Sequence, residues 1–570
     1  MQAPRSIERF RLWVSVAAAS IVVAACGSGR PDASAAARFV DVTERVGLDF
    51  DHDRADRDHF MPDSLAAGCA LLDYDADGDL DVYIVNGRYE NGSVRHPAGA
   101  NRLYRQEADG SFTDVTEPSG AGDSGYGMGV AAGDIDNDGF VDLYLTNYGP
   151  DALYRNNGDG TFTDVTAAAG VDNPRWATSA GFFDYDADGD LDLFVANYVA
   201  FEPSVRAVDL AGASEYPGPE CCPAEPDVLF RNTGDGTFED VSRATGISHA
   251  IGRGLGVALI DLNEDGRLDI YVANDRENNR AWIQTADGRF VDRAVEMGIA
   301  VNLYGAAEAS MGVAIGDADG DRRVDLFLTH LYQETNTLYL HTTPDRFEDA
   351  TIGSGLGQVS IDFTGFGTAM IDYDLDSDLD LLVVNGRVLR SATHPRASID
   401  PHWRPYAEEN LLFRNEGRAR FEPAPRECGT LCSEIEVSRG LASGDVDDDG
   451  AIDLLTTSGD GRVRLYRNTG PGTAHWLTLR VVEHNRDAYG ATVLLDAGGT
   501  ELRRDVLATD SYLSSRDPRV HFGLGGTMRI DRVRVRWVDG TVELFDVREL
   551  DRAYRLVRGE GRPASREGRR

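Results

Sequence analysis

The stretch from Asp134 to Asn147, DIDNDGFVDLYLTN, predicts a metal-binding loop that leads directly into a strand. Aspartates at loop positions 1, 3, 5 and 9 can converge on one point. Gly139 at position 6 supplies a sharp turn that a residue with a Cβ adopts reluctantly. Carboxylate oxygens at this spacing, with a backbone carbonyl at position 7, suit calcium. The apolar run from Leu143 to Leu145 follows at once and predicts a strand.

This pattern occurs seven times, which distinguishes it from an ordinary turn rich in Asp and Gly. Both offsets are counted from the first aspartate of each loop. The closing aspartate always lies eight residues after it, and a polar residue always lies thirteen residues after it. Repeats on this scale indicate a propeller, a solenoid or an array. Grouped by loop, the predicted calcium ligands are Asp73, Asp75, Asp77 and Asp81; Asp134, Asp136, Asp138 and Asp142; Asp184, Asp186, Asp188 and Asp192; Asp261, Asn263, Asp265 and Asp269; Asp317, Asp319, Asp321 and Asp325; Asp372, Asp374, Asp376 and Asp380; and Asp445, Asp447, Asp449 and Asp453. The polar residues at the last offset are Asn86, Asn147, Asn197, Asn274, His330, Asn385 and Ser458.

Four strands can be predicted in each repeat, and four strands in seven repeats predict a seven-bladed β-propeller over residues 38–470. In the second repeat a strand of small residues, Gly127 to Ala132, precedes the loop. The segments Asp142 to Thr146, Leu153 to Asn156 and Phe162 to Thr166 follow it. Alternating apolar residues between Gly and Asn turns predict strands throughout.

The two ends of the repeat region predict how the ring closes. Phe39 to Thr43 resembles a fourth strand with no repeat before it, whereas the seventh repeat has a third strand, Leu465 to Asn468, and no fourth. We therefore expect the N-terminal strand to complete the last blade, which would leave no open blade edge.

Acidic residues outnumber basic residues by 96 to 56, which gives a formal charge of −40. This charge argues against nucleic acid or an anionic lipid surface as a partner of the main surface. Many of the acids lie in the metal loops, so they can serve as ligands as well as keep the protein soluble. The chain contains no lysine, which excludes a Schiff-base lysine and a P-loop lysine.

Residues 1–25 predict a lipoprotein signal peptide. A basic segment precedes the apolar run from Leu12 to Ala25, which is too short for an ordinary membrane span. The sequence VAACG, Val23 to Gly27, resembles the lipobox of bacterial lipoproteins, in which the cysteine, here Cys26, becomes the lipidated N-terminus. A plain secretory peptide is the alternative. Residues 26–37 are small and polar and predict a tether, so we expect an exported protein anchored to a bacterial membrane, facing the periplasm or the cell exterior.

The other cysteines fall into two groups. Cys69 lies four residues before its loop's first aspartate, where other repeats carry small or apolar residues, so we expect it to be buried. Cys221, Cys222, Cys428 and Cys432 lie in predicted loops of an exported chain, where disulfides are plausible. The sequence does not determine their pairing.

The repeat pattern stops at Gly470. Residues 474–557 alternate like strands but carry no acidic loops, which predicts a second, smaller all-β domain, a β-sandwich. Residues 558–570 are polar and basic and predict a disordered tail.

The loops of the predicted propeller divide between two faces. Loops between first and second strands are the metal loops, whereas loops between second and third strands lie on the opposite face. Three of the latter are long: Gly87 to Asn101, Tyr198 to Asp227 and Gly386 to Glu409. Long loops on a rigid scaffold usually carry binding. Their aromatic residues either pack the insertions together or present a recognition surface. The predicted ligand-binding residues are the densest cluster, Trp403, Arg404 and Tyr406.

The repeats resemble the FG-GAP (VCBS) repeats of integrin α-subunit propellers, through Phe366-Gly367 before the sixth loop and Asn147 to Pro150 after the second. The C-terminal region is similar to the ASPIC/UnbV domain through His475-Trp476-Leu477, Tyr489-Gly490-Ala491, His521 to Gly525 and Trp537 to Gly540. The combination resembles the cartilage acidic protein family over about residues 38–557. That resemblance implies calcium binding and an adhesion or matrix role. Three loop positions depart from the pattern, since Arg322 and Ser377 replace the glycine and Asn263 replaces a carboxylate. The fifth and sixth sites are therefore the weakest predictions.

We expect a calcium-stabilised binding protein that engages a protein or glycan and is not an enzyme. One alternative is a glycan-active propeller enzyme, a lyase or hydrolase. Its candidate groups would be His96, His394, His402, Glu90, Glu408 and Glu409. A second alternative is a structural subunit of an envelope complex.

Overall fold

The computed structural model describes residues 38–50, 52, 59–87, 99–209, 211–470 and 472–564, which all belong to one compact unit. The predicted signal peptide, the tether and Cys26 lie outside the described residues. No helix within the described ranges is both long and apolar enough to cross a membrane.

Seven four-stranded antiparallel sheets form the blades of a propeller, as predicted. First strands of neighbouring blades contact one another around the central channel, so the first strand of each blade is innermost. The strands, blade by blade, are Cys69–Leu72, Asp81–Ile84, Arg102–Gln106 and Phe112–Asp114; Gly127–Gly133, Asp142–Asn147, Ala152–Asn156 and Phe162–Asp164; Ala177–Phe183, Asp192–Asn197, Val228–Asn232 and Phe238–Asp240; Gly254–Ile260, Asp269–Asn274, Arg280–Gln284 and Phe290–Asp292; Val313–Gly316, Asp325–Leu328, Thr337–Thr343 and Arg346–Asp349; Gly365–Ile371, Asp380–Asn385, Leu411–Asn415 and Phe421–Pro423; and Ser438–Gly444, Asp453–Ser458, Val463–Asn468 and Phe39–Asp41.

Short helices occupy the connections. Five α-helical turns follow fourth strands and end at a glycine with positive φ, which stops the helix: Thr43–Val46, Thr116–Ser119, Thr166–Ala169, Ser242–Thr245 and Ala294–Met297. A sixth is Thr430–Ser433, and the 3₁₀ turns are Met61–Ser64, Pro219–Cys221, Ile247–His249 and Arg404–Tyr406. Two further two-stranded sheets pair Ala207–Val208 with Ser214–Glu215 and Glu408–Glu409 with Ile435–Glu436.

The N-terminal strand closes the ring, which confirms the prediction from the repeat ends. Phe39 pairs with Asn468 in an antiparallel ladder. On its other edge Thr430 Oγ1 accepts the Asp41 N–H at 2.8 Å and donates to the Phe39 carbonyl at 2.9 Å. A disulfide between Cys428 and Cys432 brackets Thr430. The side chain of Thr430 therefore satisfies backbone groups that would otherwise form an open edge.

Side-chain amides fasten each blade to the preceding one. In blade 3, the Asn232 amide donates to the Ile135 carbonyl in the metal loop of blade 2 at 2.9 Å. Five further junctions repeat this bond: Asn156 to Tyr74, Gln284 to Tyr185, Asn415 to Ala318, Asn468 to Tyr373 and Gln106 to Val446. The corresponding residue in blade 5 is His341, which stacks on Phe347 with ring centroids 4.2 Å apart. The junction of blades 4 and 5 thus differs from the other six.

The C-terminal domain is a sandwich of two sheets, as predicted. One sheet orders Arg486–Asp487, His475–Glu483 and Val520–Gly525, with Arg552–Val557 parallel to the His475 strand. The other orders Thr500–Asp505, Thr492–Ala497, Ile530–Arg536, Val542–Phe545 and Arg562–Pro563. The prediction of a disordered tail from residue 558 is therefore wrong for its first residues, because Arg562 and Pro563 pair with Leu544 and Glu543.

A segment of this sandwich, Ala508 to Asp517, enters the propeller channel, and we call it the plug. Ser511 exchanges two backbone hydrogen bonds with Val313 of blade 5, at 2.9 and 2.5 Å. Further hydrogen bonds join the plug to the first strands of five other blades. The partners are Cys69 and Leu71 in blade 1, Val130 in blade 2, Ser179 in blade 3, Thr368 in blade 6 and Ser443 in blade 7. The propeller strands end at Asn468 and the sandwich strands begin at His475, but the two regions share one interior.

The far end of the plug reaches the N-terminal segment that covers the opposite mouth of the channel. The Tyr512 hydroxyl donates to the Leu65 carbonyl at 3.0 Å, and its ring packs edge-on against Phe366. Arg439, fully buried, donates to carbonyls of Ser64 and Gly386 beside it. The channel is therefore filled by the chain itself.

Glycine at position 68 makes room for the plug, and this gives a test of its contribution. A Cβ at Gly68 would lie 1.8 Å from the Leu513 carbonyl oxygen. We expect Gly68→Ala to destabilise the protein by about 1–3 kcal/mol, the usual effect of overpacking, in chemical denaturation. Gly526→Ala is the matched control because a Cβ there meets open space. Equal unfolding midpoints for the two variants would show that the plug is not tightly packed.

Candidate metal centres

The first aspartate of a metal loop folds the loop around its own carboxylate. Asp134 accepts the N–H groups of Asp138 and Gly139, at 3.2 and 2.8 Å. The same pair of bonds forms in the third, fourth, sixth and seventh loops, at Asp184, Asp261, Asp372 and Asp445. This turn brings the later loop carboxylates back toward the first one.

The closing aspartate joins the loop to the third strand of its blade. Asp142 accepts the Ile135 N–H through one oxygen at 2.8 Å and the Asn156 N–H through the other at 2.7 Å. All seven closing aspartates make this pair of bonds and all are buried: Asp81, Asp142, Asp192, Asp269, Asp325, Asp380 and Asp453. The sequence predicted these residues only as ligands, and the structure adds a backbone-binding role.

The first, third and ninth residues offer carboxylate oxygens that converge within 4.8 Å of one another. Such groups form in loops 1, 2, 3, 5 and 6. Four of these oxygens are buried without a hydrogen-bond partner among the described residues, one each on Asp73, Asp75, Asp317 and Asp374. Buried, unpartnered carboxylate oxygens are the donors that calcium prefers, so the donor set fits this ion.

The fifth and sixth loops keep the geometry of the others despite lacking glycine. Arg322 and Ser377 adopt φ values of 72° and 85°, in the left-handed region that glycine occupies elsewhere. Their N–H groups donate to Asp317 and Asp372, both at 2.9 Å. A non-glycine residue in this region costs about 1 kcal/mol or more, so these loops form against local strain.

Burial raises the pKa of the first and closing aspartates, so these carboxyls resist ionisation before a cation binds. Desolvation raises the pKa of the first aspartates Asp134 and Asp184 to about 6, and that of Asp445 to about 7. It raises the pKa of the closing aspartates Asp81 and Asp192 to about 8 and about 9. A bound cation would therefore displace protons as well as relieve repulsion between carboxylates.

Arginines of the sandwich cover the metal loops. Arg480 lies 3.4 Å from an Asp73 oxygen, and Arg519 donates to the Asp445 carbonyl at 2.8 Å. Arg486 donates to the Asn137 side chain at 2.9 Å, between loops 2 and 3. The charges of Arg486 and Arg519 lower the pKa of Asp184 and Asp445 and offset part of the effect of burial. The metal-loop face is thus also the docking face of the C-terminal domain, which the sequence did not predict.

The polar residue thirteen positions after the first aspartate acts as a clamp, because it forms hydrogen bonds that hold together the two ends of the loop that follows. Asn147 donates its N–H to Asp151, four residues on, and its amide to the Pro150 carbonyl. Asn197 makes the equivalent bonds to Asp227, thirty residues on, and to the Pro226 carbonyl. The same clamp therefore closes a short connection and a long insertion, which lets the opposite face carry insertions without disturbing its blades.

The second and third insertions meet above the opposite mouth of the channel, and we call this surface the insertion face. Tyr216 of one insertion stacks on Trp403 of the other, and Tyr406 donates to Glu215 at 2.7 Å. Trp403 is only 2% exposed and Tyr406 is fully buried, so the prediction that they present a recognition surface is wrong. Their aromatic rings pack the insertions together. Arg404 remains exposed.

A vicinal disulfide links Cys221 and Cys222, and Cys69 is buried as predicted.

Four of the groups considered for an enzyme lie in described parts of the insertion face, and each engages a neighbouring group. His394 Nδ1 accepts the Arg396 N–H at 3.3 Å. His402 lies 2.9 Å from the Tyr216 hydroxyl. Glu408 pairs with Arg387 at 2.6 Å, and Glu409 pairs with Arg396 at 2.9 Å. Residues 90 and 96 lie outside the described ranges.

Family models match both parts of the chain. The FG-GAP-like repeat model matches residues 73–145, 134–195, 208–272 and 261–328, and the ASPIC and UnbV model matches residues 481–563. Cartilage acidic protein 1 of Homo sapiens is 27% identical over 507 residues, covering 84% of this chain and 70% of that protein. The Mus musculus protein of the same name is 26% identical over 509 residues, covering 84% and 71%.

Solved structures give weaker likenesses. An Agrocybe aegerita lectin, described by its recognition of non-reducing terminal N-acetylglucosamine, is 13% identical with a TM-score of 0.36. It covers 65% of this chain and 88% of that one. The BBS1N chain of a complex with ARL6DN is 9% identical with a TM-score of 0.39, covering 77% and 99%. Both scores are below 0.5, and no conclusion about this chain follows from them.

Two substitutions in one loop separate metal binding from backbone binding. In Asp142→Asn, one accepting oxygen becomes an NH₂ group facing a buried N–H. We expect a loss of about 1–3 kcal/mol in unfolding free energy even in chelator. Asp136→Asn keeps an oxygen ligand and should chiefly weaken calcium binding, as measured by calorimetry. Equal stability of the two variants in chelator would contradict the structural role of the closing aspartate.

Chelation and pH should act together on stability. The pKa values of the first and closing aspartates are raised in the folded protein above the unfolded value of about 3.9, so the chelated folded state binds extra protons between these values. The contribution of these aspartates to stability is therefore greatest at low pH and falls as pH rises through about 6 to 9. Calcium at a hundredfold excess over Kd adds about 2.7 kcal/mol per site and should flatten this fall. Melting temperatures with chelator, calcium and magnesium at pH 6 and 8 test this, with magnesium less effective because it demands octahedral geometry. A chelated protein that melts at the same temperature at both pH values would contradict it.

Proposed function

The chain carries FG-GAP-like repeats followed by an ASPIC and UnbV domain, and from that premise we propose that it is a calcium-binding, lipid-anchored extracytoplasmic protein that recognises a protein or glycan through its insertion face. Calcium would be held by the loop aspartates, whose oxygens converge and include buried atoms without partners. Bound calcium would stabilise the blades and would not contact the partner.

The observation that carries this proposal is the arrangement of the two faces. The sandwich covers the metal loops through Arg480, Arg486 and Arg519, and the plug fills the channel. The insertion face lies opposite the sandwich. Two insertions there are fixed against each other by Tyr216 and Trp403, so they form a rigid surface. A rigid, preorganised surface loses little conformational entropy when it binds.

Four exposed residues at the seam of the two insertions form our candidate recognition patch: Val208, Leu389, Arg390 and Arg404. Val208 and Leu389 are 66% and 42% exposed, which is unusual for apolar side chains at a packed seam. Arg390 donates to the Ser214 carbonyl, and Arg404 to the Ile399 carbonyl. Neither arginine forms an ion pair with a residue in the described part of the chain. Arginine is enriched at interface hot spots, and apolar groups beside it can exclude water from the contact.

The proposed location rests on the N-terminal sequence, with its basic segment, apolar run and cysteine at position 26. The name of the relatives refers to cartilage, and a protein outside the cytoplasm is consistent with that name. Cell fractionation and mass spectrometry of wild-type and Cys26→Ser protein test the anchor. We expect a lipid on the wild-type N-terminus and loss of the variant from membranes; wild-type protein without a lipid would refute the anchor.

The recognition patch can be tested by charge reversal once a partner has been captured from envelope extracts. We expect Arg390→Glu with Arg404→Glu to weaken binding at least about tenfold, or 1.4 kcal/mol, with unchanged melting in calcium. Arg548→Glu is the matched control, because Arg548 is an exposed arginine on the sandwich. Full affinity of the double variant, or an equal loss in the control, would place recognition elsewhere.

A further inference from the structure

Three strand ends at one edge of the sandwich bring an imidazole, a thioether and a carboxylate together. His475 begins the first strand of the sandwich, Met528 lies in the turn between Val520–Gly525 and Ile530–Arg536, and Asp551 directly precedes Arg552–Val557. The Nε2 atom of His475 lies 3.1 Å from the sulfur of Met528. The Nδ1 atom of the same ring lies 2.8 Å from a carboxylate oxygen of Asp551. This group is separate from the seven metal loops.

The exposure of Met528 sets it apart from the other methionines. Five methionines in the described ranges are at most 3% exposed and pack in the core: Met61, Met128, Met297, Met311 and Met370. Met528 is 75% exposed, so its thioether gains little from burial. Its sulfur nevertheless lies against the one ring nitrogen of His475 that Asp551 does not engage.

The partners of Asp551 fix which nitrogen of His475 carries the proton. An ionised carboxylate only accepts hydrogen bonds, so Nδ1 must donate to Asp551. The same carboxylate accepts the Trp476 N–H at 3.1 Å, which holds it in place. The neutral ring therefore carries its lone pair on Nε2, directed at a sulfur that is itself a weak acceptor. A carboxylate that orients a histidine in this way is the usual support of a metal-binding imidazole.

We propose that His475 Nε2 and Met528 Sδ are the protein ligands of a copper(I) site, with Asp551 orienting the histidine. Soft sulfur donors such as a thioether favour copper(I), and imidazole also suits copper. Bonds of about 2.0 Å to nitrogen and about 2.3 Å to sulfur, the lengths seen for zinc, would place the two atoms roughly 3.0 Å apart at a right angle and roughly 4.3 Å apart in line. The observed 3.1 Å falls within this range, and the flexible, exposed Met528 side chain can open the angle.

The hard carboxylate loops do not compete for this ion, because calcium and copper(I) prefer opposite donor types. The free thiol of Cys69 is fully buried, and burial raises its pKa to about 12, so it stays protonated and out of reach. The remaining described cysteines form disulfides. The copper(I) site therefore has a donor set of its own within this protein.

The test is a titration of the full chain with silver(I), a redox-inert soft probe, and with copper(I) as its acetonitrile complex under nitrogen, without thiol reductants. We expect one equivalent to bind in calorimetry. Met528→Leu should weaken binding at least about tenfold, and His475→Asn should do so at least as strongly. His249→Asn is the matched control, since His249 is an exposed histidine outside the sandwich. Because Met528 is exposed, its leucine variant should melt like wild type.

Comparing the affinities of the variants with that of the wild-type protein also shows which results would overturn the proposal. Cys26 and Cys69 are present in every protein compared, so any binding to their sulfur atoms cancels in the differences. Equal affinity of wild type and Met528→Leu would overturn the site, as would an equal loss in His249→Asn. Binding of calcium or magnesium at His475 with the same affinity as silver(I) would show a site without soft selectivity and would also refute it.

Discussion

In six of the seven blades, one residue of the metal loop is held at both its backbone N–H and its backbone carbonyl. The N–H of Ile135 donates to the closing aspartate Asp142, and its carbonyl accepts the Asn232 amide of the next blade. The first bond ties the loop to its own blade, and the second ties that blade to its neighbour. Metal loop, blade interior and blade junction therefore share one residue. A change of the loop at this residue reaches two blades, because buried backbone groups must keep their partners.

This arrangement explains why one face of the propeller is uniform and the other varied. Residues of the metal loops serve the ligand set, their own blade, the next blade and the sandwich. On the opposite face, Asn197 and its equivalents close the base of each connection with local bonds. Residues inserted beyond that clamp do not have to keep contacts with a metal, a neighbouring blade or the sandwich. The insertions therefore lie on the face with the fewest structural contacts to keep, where long loops cost little extra closure entropy.

The features that could be predicted from the sequence were those that repeat along the chain or depend on residues close together in it. Two fixed offsets identified seven loops and hence the blades, and the unmatched strand at Phe39 identified the closure. Burial of Trp403 could not be read from the sequence, since its partner Tyr216 is far away along the chain and both lie in irregular segments. The plug was missed for a related reason. Residues 508–517 have the composition of a surface loop, and their hydrogen-bond partners are single positions on many different strands. No periodicity records contacts of that kind.

The plug also has a consequence for how the protein is made. The ring closes by pairing residue 39 with residue 468, but the hydrogen bonds that fill its centre come from residues 508–517. Cys69 contacts Ser514 across 445 positions of the chain. During synthesis the residues of all seven blades are made before the segment that completes their interior, and a chain released early lacks that segment. Completion of the last domain is thus coupled to the final packing of the first. Contacts of such long sequence separation form slowly, and the interior can be fully packed only after residues 508–517 have been made.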